Sequence, residues 1–398
     1  MLCMPMFSTG QPIPGARQYI AELYRTDSLP IRFNLDVILE VGAESWIIRN
    51  ASEKIPVVAV NRSRDSVQFN LPVFESTFRL KQSGNGYEGS WIKGTSSKDV
   101  LMPVGIWPGD SRFPASRGKA LGNLSGRWRV NFIRPNGTSR LSVAEFVQKG
   151  EKLTGTFLNP SGDYRYLEGV MSGDSMQLSC FDGSHAYYFG ARLAKDGSLV
   201  NGVYASGASY LEKWTAVKDP SAQIDPSIAA MELRPGEERI GFRFPDLDSQ
   251  LVSLKDERFR DKAVVIQIMG SWCPNCMDET AFLSDYYRRN RQRGIEMIAL
   301  AYEYSTDFAR ASRSLRKFRD KFAVQYPMLI TGVTSGDSLK TEKTLPQLTP
   351  IKAFPTTIFI GRDGKVKKIH AGFYGPGTGS YYDAFKKEFE ETIETLLK

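Results

Sequence analysis

The chain has 398 residues, 41% of them hydrophobic and 24% charged, and a formal net charge of +8. This length predicts two or three domains, and the composition excludes disordered and fibrous proteins. No segment approaches the roughly 20 consecutive apolar residues that a membrane-spanning helix needs. No nucleic-acid-binding motif accompanies the basic excess, which we assign to solvated helix faces, so we expect no nucleic-acid partner.

Residues 1–14 lack the charged start and the apolar core of a signal peptide. A chain whose leader had been removed would look the same, so residues 1–14 do not determine the cellular compartment of the protein. Four cysteines are too few for a disulfide-stapled scaffold, but Cys273 and Cys276 form a Cys-x-x-Cys pair. This pair is therefore the candidate reactive site of the protein.

Residues 17–217 are predicted to form an antiparallel β module, either a barrel or a sandwich. Short runs rich in Val, Ile, Phe, Tyr and Trp alternate there with turn residues at regular intervals, which is typical of such folds. Hairpin turns are predicted at residues 135–137, 160–163 and 195–197.

The β module contains an internal repeat. The run DSVQF at residues 65–69 resembles DSMQL at residues 174–178, about 110 residues downstream, and the following runs match at a similar distance. We therefore predict a duplication, with one half at residues 17–110 and the other at residues 120–217.

Residues 218–240 have the proline and charge content of a linker, and the strands and helices that alternate beyond them predict an α/β domain at residues 241–398. Its strands are predicted at residues 263–269, 295–301, 326–331, 355–360 and 365–371, and its helices at residues 274–293, 306–322 and 382–397. The first of these strands is an almost continuous apolar run, as expected of a buried central strand.

The motif WCPNC at residues 272–276 lies at the junction of this strand and the following helix. Cys273 then stands at the helix start, where unpaired N–H groups and the helix dipole stabilise an anion, and the thiolate is the reactive form of a thiol. Pro274 suits the first helical position, which needs no N–H partner. Cys276 follows one turn later. The pattern predicts a redox-active pair in which Cys273 attacks a disulfide and Cys276 resolves the mixed disulfide.

Three other interpretations of the pair are disfavoured. A zinc site needs further ligands, and the remaining candidates form no second closely spaced pair: Cys3, Cys180, His185 and His370. Haem attachment requires a histidine after the second cysteine, where Met277 stands. An inert structural pair does not fit the strand-to-helix position. We therefore expect neither a metal nor an organic cofactor, only the redox-active dithiol.

From about residue 244 to residue 398 the chain resembles the TlpA-like, redoxin-type branch of the thioredoxin superfamily. The resemblance rests on FPDL at residues 244–247, on WCPNCMDE at 272–279 and on FPTTIFI followed by GRDGK at 354–365. It implies a thioredoxin fold and thiol–disulfide oxidoreductase activity. The β module resembles segments that precede thioredoxin domains in some bacterial proteins, which implies no activity for it.

The resemblance also implies a substrate-binding groove beside the Cys pair. It implies a cis peptide bond between Phe354 and Pro355 that faces the cysteines and exposes backbone groups to an extended substrate peptide. On this basis Phe354, Pro355 and Thr356, together with Trp272 and Pro274 of the motif, are the expected substrate-binding residues.

Glu279 lies three residues after Cys276, on the same face of the helix. In reductive TlpA-like proteins a glutamate at this spacing is implicated in taking a proton near the Cys pair, and a buried carboxylate with a raised pKa can do so. The alternative is a solvated helix residue like Asp278. Thioredoxin itself has an aspartate at the position of Gln267, which cannot ionise, and this difference favours Glu279 as the third catalytic residue.

The sequence thus predicts a reductase of protein disulfides in the bacterial periplasm or cell envelope. The resemblance implies protein disulfides as substrates and a membrane-bound electron donor as partner. The alternatives are an envelope ligand-binding protein in which the redox domain is accessory, and a peroxidase-like redoxin.

Overall fold

The computed structural model of the protein describes residues 11–40, 43–95, 98–113 and 118–398. They form two compact units, each described by itself. The β unit holds the described residues up to Asn159 together with Tyr164–Ile224, and the α/β unit holds Pro160–Asp163 together with Asp225–Lys398. In the described part of the chain, no helix is both long and apolar enough to span a bilayer.

The first half of the β unit is an open antiparallel sheet, here called the half-barrel. Its strands are β1 (Arg17–Tyr24), β2 (Pro30–Glu40), β3 (Ala43–Asn50), β4 (Glu53–Pro56), β5 (Val58–Arg62), β6 (Ser66–Asn70), β7 (Ser76–Ser83), β8 (Gly86–Lys93) and β9 (Val100–Pro108). They lie in the order β4-β3-β2-β1-β9-β8-β7-β6-β5, so that β4 and β5 are its two edges.

The second half is a closed antiparallel barrel. Its strands are β10 (Gly126–Ile133), β11 (Ser139–Lys149), β12 (Lys152–Asn159), β14 (Leu167–Ser172), β15 (Ser175–Phe181), β16 (Ala186–Leu193), β17 (Leu199–Ser206) and β18 (Tyr210–Lys218), and the short β13 (Gly162–Asp163) is part of the α/β unit. The ring closes because β11 pairs with both β10 and β12, while β10 also pairs with β18.

The two halves share their strand order. Strands β6, β7 and β8 correspond to β15, β16 and β17, which carry the matching runs of the sequence repeat. In each half the first strand pairs with the last. The halves differ at the third strand, since β3 pairs with the edge strand β4 whereas β12 pairs with β14 and so closes the ring. The predicted antiparallel β module is confirmed. The shared strand order is the arrangement that duplication of one half would produce.

Aromatic side chains dominate the core of the β unit. The interior of the barrel is filled by large buried residues, among them Trp128, Phe132, Phe157, Phe189 and Trp214. Phe157 and Phe189 stack with ring centroids 4.2 Å apart. The core of the half-barrel includes barrel residues, since Phe181 of β15 stacks on Phe33 of β2 at 4.4 Å. Burial of this apolar area is the main force that holds the unit together.

The α/β unit contains most of the predicted elements within a few residues of their expected ends. Its strands are β19 (Arg243–Pro245), β20 (Leu251–Ser253), β21 (Ala263–Met269), β22 (Ile295–Ala301), β23 (Met328–Ile330), β24 (Thr356–Ile360) and β25 (Val366–Ala371), and its helices are α1 (Pro274–Asn290), α2 (Phe308–Phe322), α3 (Lys340–Thr344) and α4 (Ser380–Leu397). The predicted first helix is shorter because its last residues, Arg291–Arg293, form a 3-10 turn.

The central sheet of the α/β unit has the order β23-β22-β21-β24-β25. Strands β21, β22 and β23 are parallel, whereas β24 and β25 form an antiparallel hairpin beside β21. This arrangement is that of a thioredoxin fold, as predicted. Every residue of β21 is buried, and α1 follows it directly. The first turn of α1 therefore lies at the carboxyl end of the central strand, where α/β proteins place their functional residues.

Candidate active site

Cys273 caps the N-terminus of α1. Its backbone is extended (φ −99°, ψ 113°), Pro274 is the first helical residue, and the Cys273 Sγ accepts the N–H of Cys276 at 3.2 Å. The Cys273 residue is 5% exposed. A sulfur atom in this position receives a backbone hydrogen bond and lies at the positive end of the helix dipole, and both effects stabilise a thiolate.

Cys276 lies one turn into α1 and is fully buried. Burial raises the pKa of its thiol well above the ordinary value, and the neighbouring Cys273 and Glu279 raise it further. Both cysteines are free thiols in this structure. A buried thiol with a raised pKa keeps its proton until a base accepts it, which suits a resolving thiol better than an attacking one.

The peptide bond between Phe354 and Pro355 is cis, as the family resemblance implied. The Cys273 thiol donates to the carbonyl oxygen of Phe354 at 3.5 Å, so this bond faces the Cys pair. The Thr356 side chain is buried, and its hydroxyl donates to the carbonyl oxygen of Ala353 at 2.9 Å. The structure therefore brings Phe354 and Pro355 to Cys273, while the side chain of Thr356 stabilises the preceding turn.

Trp272 is fixed beside the Cys pair by polar and aromatic contacts. Its indole Nε1 donates to the carbonyl oxygen of Tyr302 at 2.8 Å. Its ring stacks on Tyr304 with centroids 5.1 Å apart and meets Phe354 edge to face at 5.5 Å. These partly exposed rings form an apolar surface next to the cis peptide bond, which suits contact with a bound peptide.

Glu279 is fully buried, one turn beyond Cys276. Its Oε1 accepts the hydroxyl of Thr357 at 2.6 Å, and its Oε2 accepts the amide Nε2 of Gln267 at 2.8 Å. Burial raises the pKa of Glu279 to about 7, against the lowering effect of these two hydrogen bonds. A carboxyl group with this pKa exchanges its proton near neutral pH, as general acid–base chemistry requires.

Thr357 and Gln267 are partners of Glu279 that the sequence pattern did not indicate. The two residues pair directly across β21 and β24. The Gln267 Oε1 accepts the hydroxyl of Thr280 at 2.9 Å, which orients the amide so that its NH₂ group faces the carboxylate. The available signals were the single polar residue of the otherwise apolar β21 and the pair of threonines that begins β24.

Glu303 is a second buried carboxylate that sequence analysis missed. It lies just after β22 and accepts both the backbone N–H of Ser271 at 2.8 Å and the Ser271 hydroxyl at 2.5 Å. Because Ser271 directly precedes the WCPNC motif, this contact fixes the chain that leads into Cys273. The sequence signal was an acidic residue just beyond the carboxyl end of the strand predicted at residues 295–301.

The other candidate residues of the sequence lie elsewhere. Cys180 is buried in the barrel core, where burial raises the pKa of its thiol well above the ordinary value. The His185 ring Nδ1 lies 3.3 Å from Asp182 Oδ2. Cys3 is outside the described residues. Within the described ranges, no group of three or more His, Cys, Asp or Glu side chains is arranged to hold a metal ion.

Comparison with known proteins shows what this part of the chain is similar to. The Redoxin family matches residues 234–384. The thiol-disulfide oxidoreductase ResA of Bacillus thuringiensis subsp. konkukian is 30% identical over 131 residues, which cover 33% of this chain and 66% of that protein. ResA of Halalkalibacterium halodurans is 25% identical over 162 residues, which cover 40% of this chain and 78% of that protein. The chain thus spans just under two thirds of the length of the Bacillus relative.

Solved structures of similar proteins cover less than half of the chain. A thioredoxin family thiol:disulfide interchange protein from Chlorobium tepidum TLS is 16% identical, with a TM-score of 0.30 and coverage of 42% of this chain and 99% of that one. A DsbF homologue from Corynebacterium diphtheriae is 18% identical, with a TM-score of 0.30 and coverage of 44% and 97%. With the sheet order and the Cys pair at the start of α1 described, the family match shows that residues 234–384 of this chain are a Redoxin domain with a thioredoxin fold.

Proposed function

We propose that this chain is a thiol–disulfide oxidoreductase that reduces protein disulfides, with Cys273 as nucleophile, Cys276 as resolving thiol and Glu279 as proton acceptor. The observation that carries the proposal is the position of the Cys273 Sγ, which lies 3.2 Å from the N–H of Cys276 and 3.5 Å from the carbonyl oxygen of Phe354. The helix start stabilises the attacking thiolate, and the cis peptide offers backbone groups to a substrate chain.

The reaction has two exchange steps. The Cys273 thiolate attacks one sulfur of a substrate disulfide, the substrate S–S bond breaks, and the other substrate sulfur leaves as a thiolate. The Cys276 thiolate then attacks the Cys273 sulfur of the mixed disulfide and releases the second substrate thiolate. The two electrons come from the dithiol, which becomes the Cys273–Cys276 disulfide, and a dithiol electron donor must reduce it again.

The second step requires Cys276 to lose its proton. The buried thiol holds that proton firmly, because burial raises its pKa. Glu279 lies one helical turn away, and its own pKa of about 7 makes it a suitable acceptor near neutral pH. Gln267 and Thr357 support this role, since both donate hydrogen bonds to the carboxylate that forms when Glu279 loses its proton.

The family resemblance and the names of the relatives support the physiological part of the proposal. The matched relatives are named thiol-disulfide oxidoreductase ResA. On this basis the substrates are protein disulfides, the site of action is the bacterial periplasm or cell envelope, and the electron donor is a membrane-bound dithiol protein. We assign substrate contact to Trp272, Pro274, Phe354 and Pro355, with Thr356 supporting the turn that carries the cis peptide bond.

Reduction of insulin by dithiothreitol tests the activity. We expect the wild type to accelerate the reaction and Cys273→Ser to abolish the acceleration. Cys180→Ser is the matched control, because it removes a buried thiol of the barrel core and should keep the rate. Absence of thiol-dependent turnover in the wild type would refute the proposal, and dithiothreitol-dependent consumption of peroxide without insulin reduction would favour a peroxidase.

Trapping tests the order of the two thiols. In Cys276→Ser the first exchange proceeds but the second does not, so mixed disulfides between Cys273 and substrate proteins should accumulate. Cys273→Ser, which leaves only the buried Cys276, should trap none. Equal trapping by the two variants would exclude the assigned order. The proteins trapped from a periplasmic extract would identify the substrates.

A further inference from the structure

The segment Pro160–Asp163 belongs to the same compact unit as the WCPNC motif, although it is distant from it in the chain. It contacts Asn275, the residue directly before Cys276. The Asn275 Nδ2 donates to the carbonyl oxygen of Asp163 at 3.4 Å and to that of Phe373 at 3.3 Å. One residue of the motif is therefore held by two backbone carbonyls, one from this segment and one from the chain that follows β25.

The segment also occupies backbone groups of residues 372–375. The Asp163 carboxylate accepts the N–H of Gly375 at 2.7 Å, and Gly162 forms a parallel β-bridge with Phe373. Burial, together with the charge of Asp163, raises the pKa of Tyr374 to about 12. The Pro160–Asp163 segment thus lies along residues 372–375 as a short added strand.

Two glycines permit this close approach. A Cβ atom at Gly162 would overlap the Asn275 Nδ2 and lie 2.8 Å from the carbonyl oxygen of Phe373, and a Cβ atom at Gly372 would lie 2.7 Å from the carbonyl oxygen of Pro160. Both residues also have positive φ angles, 144° and 82°, which side chains disfavour. Glycine at both positions therefore leaves the space that the contact between the segment and residues 372–375 requires.

We propose that Pro160–Asp163 is a specificity-determining segment that restricts the thiol site to disulfides in unfolded or extended protein chains. The inference rests on the proposed function. A substrate chain binds by strand addition to free backbone groups. Asp163 of the segment already takes the Gly375 N–H, and Asn275 takes the Phe373 carbonyl, so a substrate chain must lie along Phe354 and Pro355 instead. An extended chain can do so, whereas a disulfide on a folded surface brings bulk against the segment.

The test compares one substrate protein in two states. The kcat/KM values for reduction of native ribonuclease and of the same protein with scrambled disulfides are measured for the wild type and for Asp163→Ala, which loses the acceptor of the Gly375 N–H. We expect the preference for the scrambled form to fall by roughly tenfold or more, the worth of one charge-assisted hydrogen bond. Asp196→Ala is the matched control, because Asp196 also accepts a backbone N–H, that of Ser198, in a barrel hairpin. It should keep the wild-type preference.

Gly162→Ala provides a second variant, because its Cβ displaces the segment without removing a charge. Thermal unfolding identifies any variant that fails to fold. A preference that falls in both folded variants supports the proposal. A preference that stays at the wild-type value in either folded variant overturns it, and so does an equal loss of activity on both forms of the substrate.

A readout without turnover separates this inference from the proposed function. Alkylation of Cys273 is followed with iodoacetamide and with a maleimide carrying a large polyethylene glycol chain. In Asp163→Ala the rate of alkylation by the large reagent should rise relative to the rate with the small one. An unchanged ratio of the two rates argues against the specificity segment even in a catalytically active protein. A changed ratio in a protein without disulfide reductase activity would refute only the proposed function.

Discussion

The Gln267 amide donates from Nε2 to the Glu279 carboxylate across 2.8 Å, in the buried core of the Redoxin domain. The same nitrogen lies 3.4 Å from the carbonyl oxygen of Cys276. Because Gln267 is on the central strand β21 and the other two residues are on α1, this amide ties the helix that carries the resolving thiol to the sheet. It also holds the proposed proton acceptor in one orientation.

The variant Glu279→Gln tests the proton acceptor. Below pH 7 Glu279 is protonated and cannot accept the Cys276 proton, so the wild-type rate of mixed-disulfide resolution should rise as the pH passes through about 7. The variant should lack this step and should be slower at pH 8 by roughly 100-fold, the usual contribution of a general base. A stopped-flow pH profile of the resolution step measures both effects.

Two observations keep this test specific. The buried Tyr326 also faces Glu279, but burial and the charge of Glu279 raise the pKa of Tyr326, so it stays neutral in this range. Asp285→Asn is the control variant, because Asp285 lies on the same helix and its ion pairs with Arg288 and Arg289 are exposed. A step near pH 7 that persists in Glu279→Gln would remove Glu279 from the mechanism.

The hydrogen bonds to Glu279 should set the position of that step. Gln267→Leu and Thr357→Val each remove one donor to the carboxylate, which favours the neutral acid and raises the pKa of Glu279 above about 7. We expect the midpoint of the pH–rate profile to move up by about one unit in each variant. Thr331→Val is the control, because it removes a buried hydroxyl that donates to the carbonyl oxygen of Ala301 instead. A midpoint that stays in place or falls would contradict the assigned hydrogen bonds.

Burial of Glu279 should also make the stability of the domain depend on pH. Its pKa is raised from 4.5 to about 7 in the folded protein, so its contribution is favourable below pH 4.5 and is lost as the pH rises through 7. The cost of this group at pH 8 is about 3 kcal/mol. Glu279→Gln should therefore gain stability relative to the wild type between pH 4.5 and pH 8, as measured by urea unfolding at both values. The same stability difference at both pH values would show that the carboxyl group titrates normally.

Local sequence patterns predicted the parts of the site that are close together in the chain. The apolar run of β21 and the proline after Cys273 fix the strand-to-helix junction, and the three-residue spacing places Glu279 one turn beyond Cys276. The partner Thr357 is 78 residues away from Glu279, and only the pairing of β21 with β24 brings it there. Contacts of this kind depend on strand register, which the sequence pattern alone does not specify.

In the β unit, too, local sequence patterns predicted the strands but not all of the pairing between them. The repeat predicted equivalent strands in the two halves, and β6 and β15 occupy equivalent positions. The pattern did not predict that only the second half closes. Closure depends on whether the third strand pairs with the next long strand, as β12 does with β14, or with a short edge strand, as β3 does with β4. The difference lies in strand pairing between distant residues, which a local sequence pattern does not specify.

The buried Arg112 joins the half-barrel to the barrel. Its guanidinium donates to the Asn34 Oδ1 at 2.8 Å and to the carbonyl oxygens of Arg49 at 2.6 Å and Ser179 at 2.9 Å. It also pairs with Glu168 at 3.4 Å. Asn34 and Arg49 lie in the half-barrel, whereas Ser179 and Glu168 lie in the barrel. One side chain therefore satisfies polar groups of both sheets within the core of the β unit.

Arg112→Met should destabilise the β unit strongly. The substitution keeps an apolar stem of similar length but leaves two backbone carbonyls and the Glu168 carboxylate without this donor, and loss of one partner of a buried ion pair costs about 3–5 kcal/mol. Arg129→Met is the matched control, because the Arg129 side chain is 59% exposed and solvent screens its ion pair with Asp219. Urea unfolding followed by tryptophan fluorescence reports on the barrel core, which contains Trp128 and Trp214. If both variants unfold at the same urea concentration, Arg112 does not hold the two sheets together.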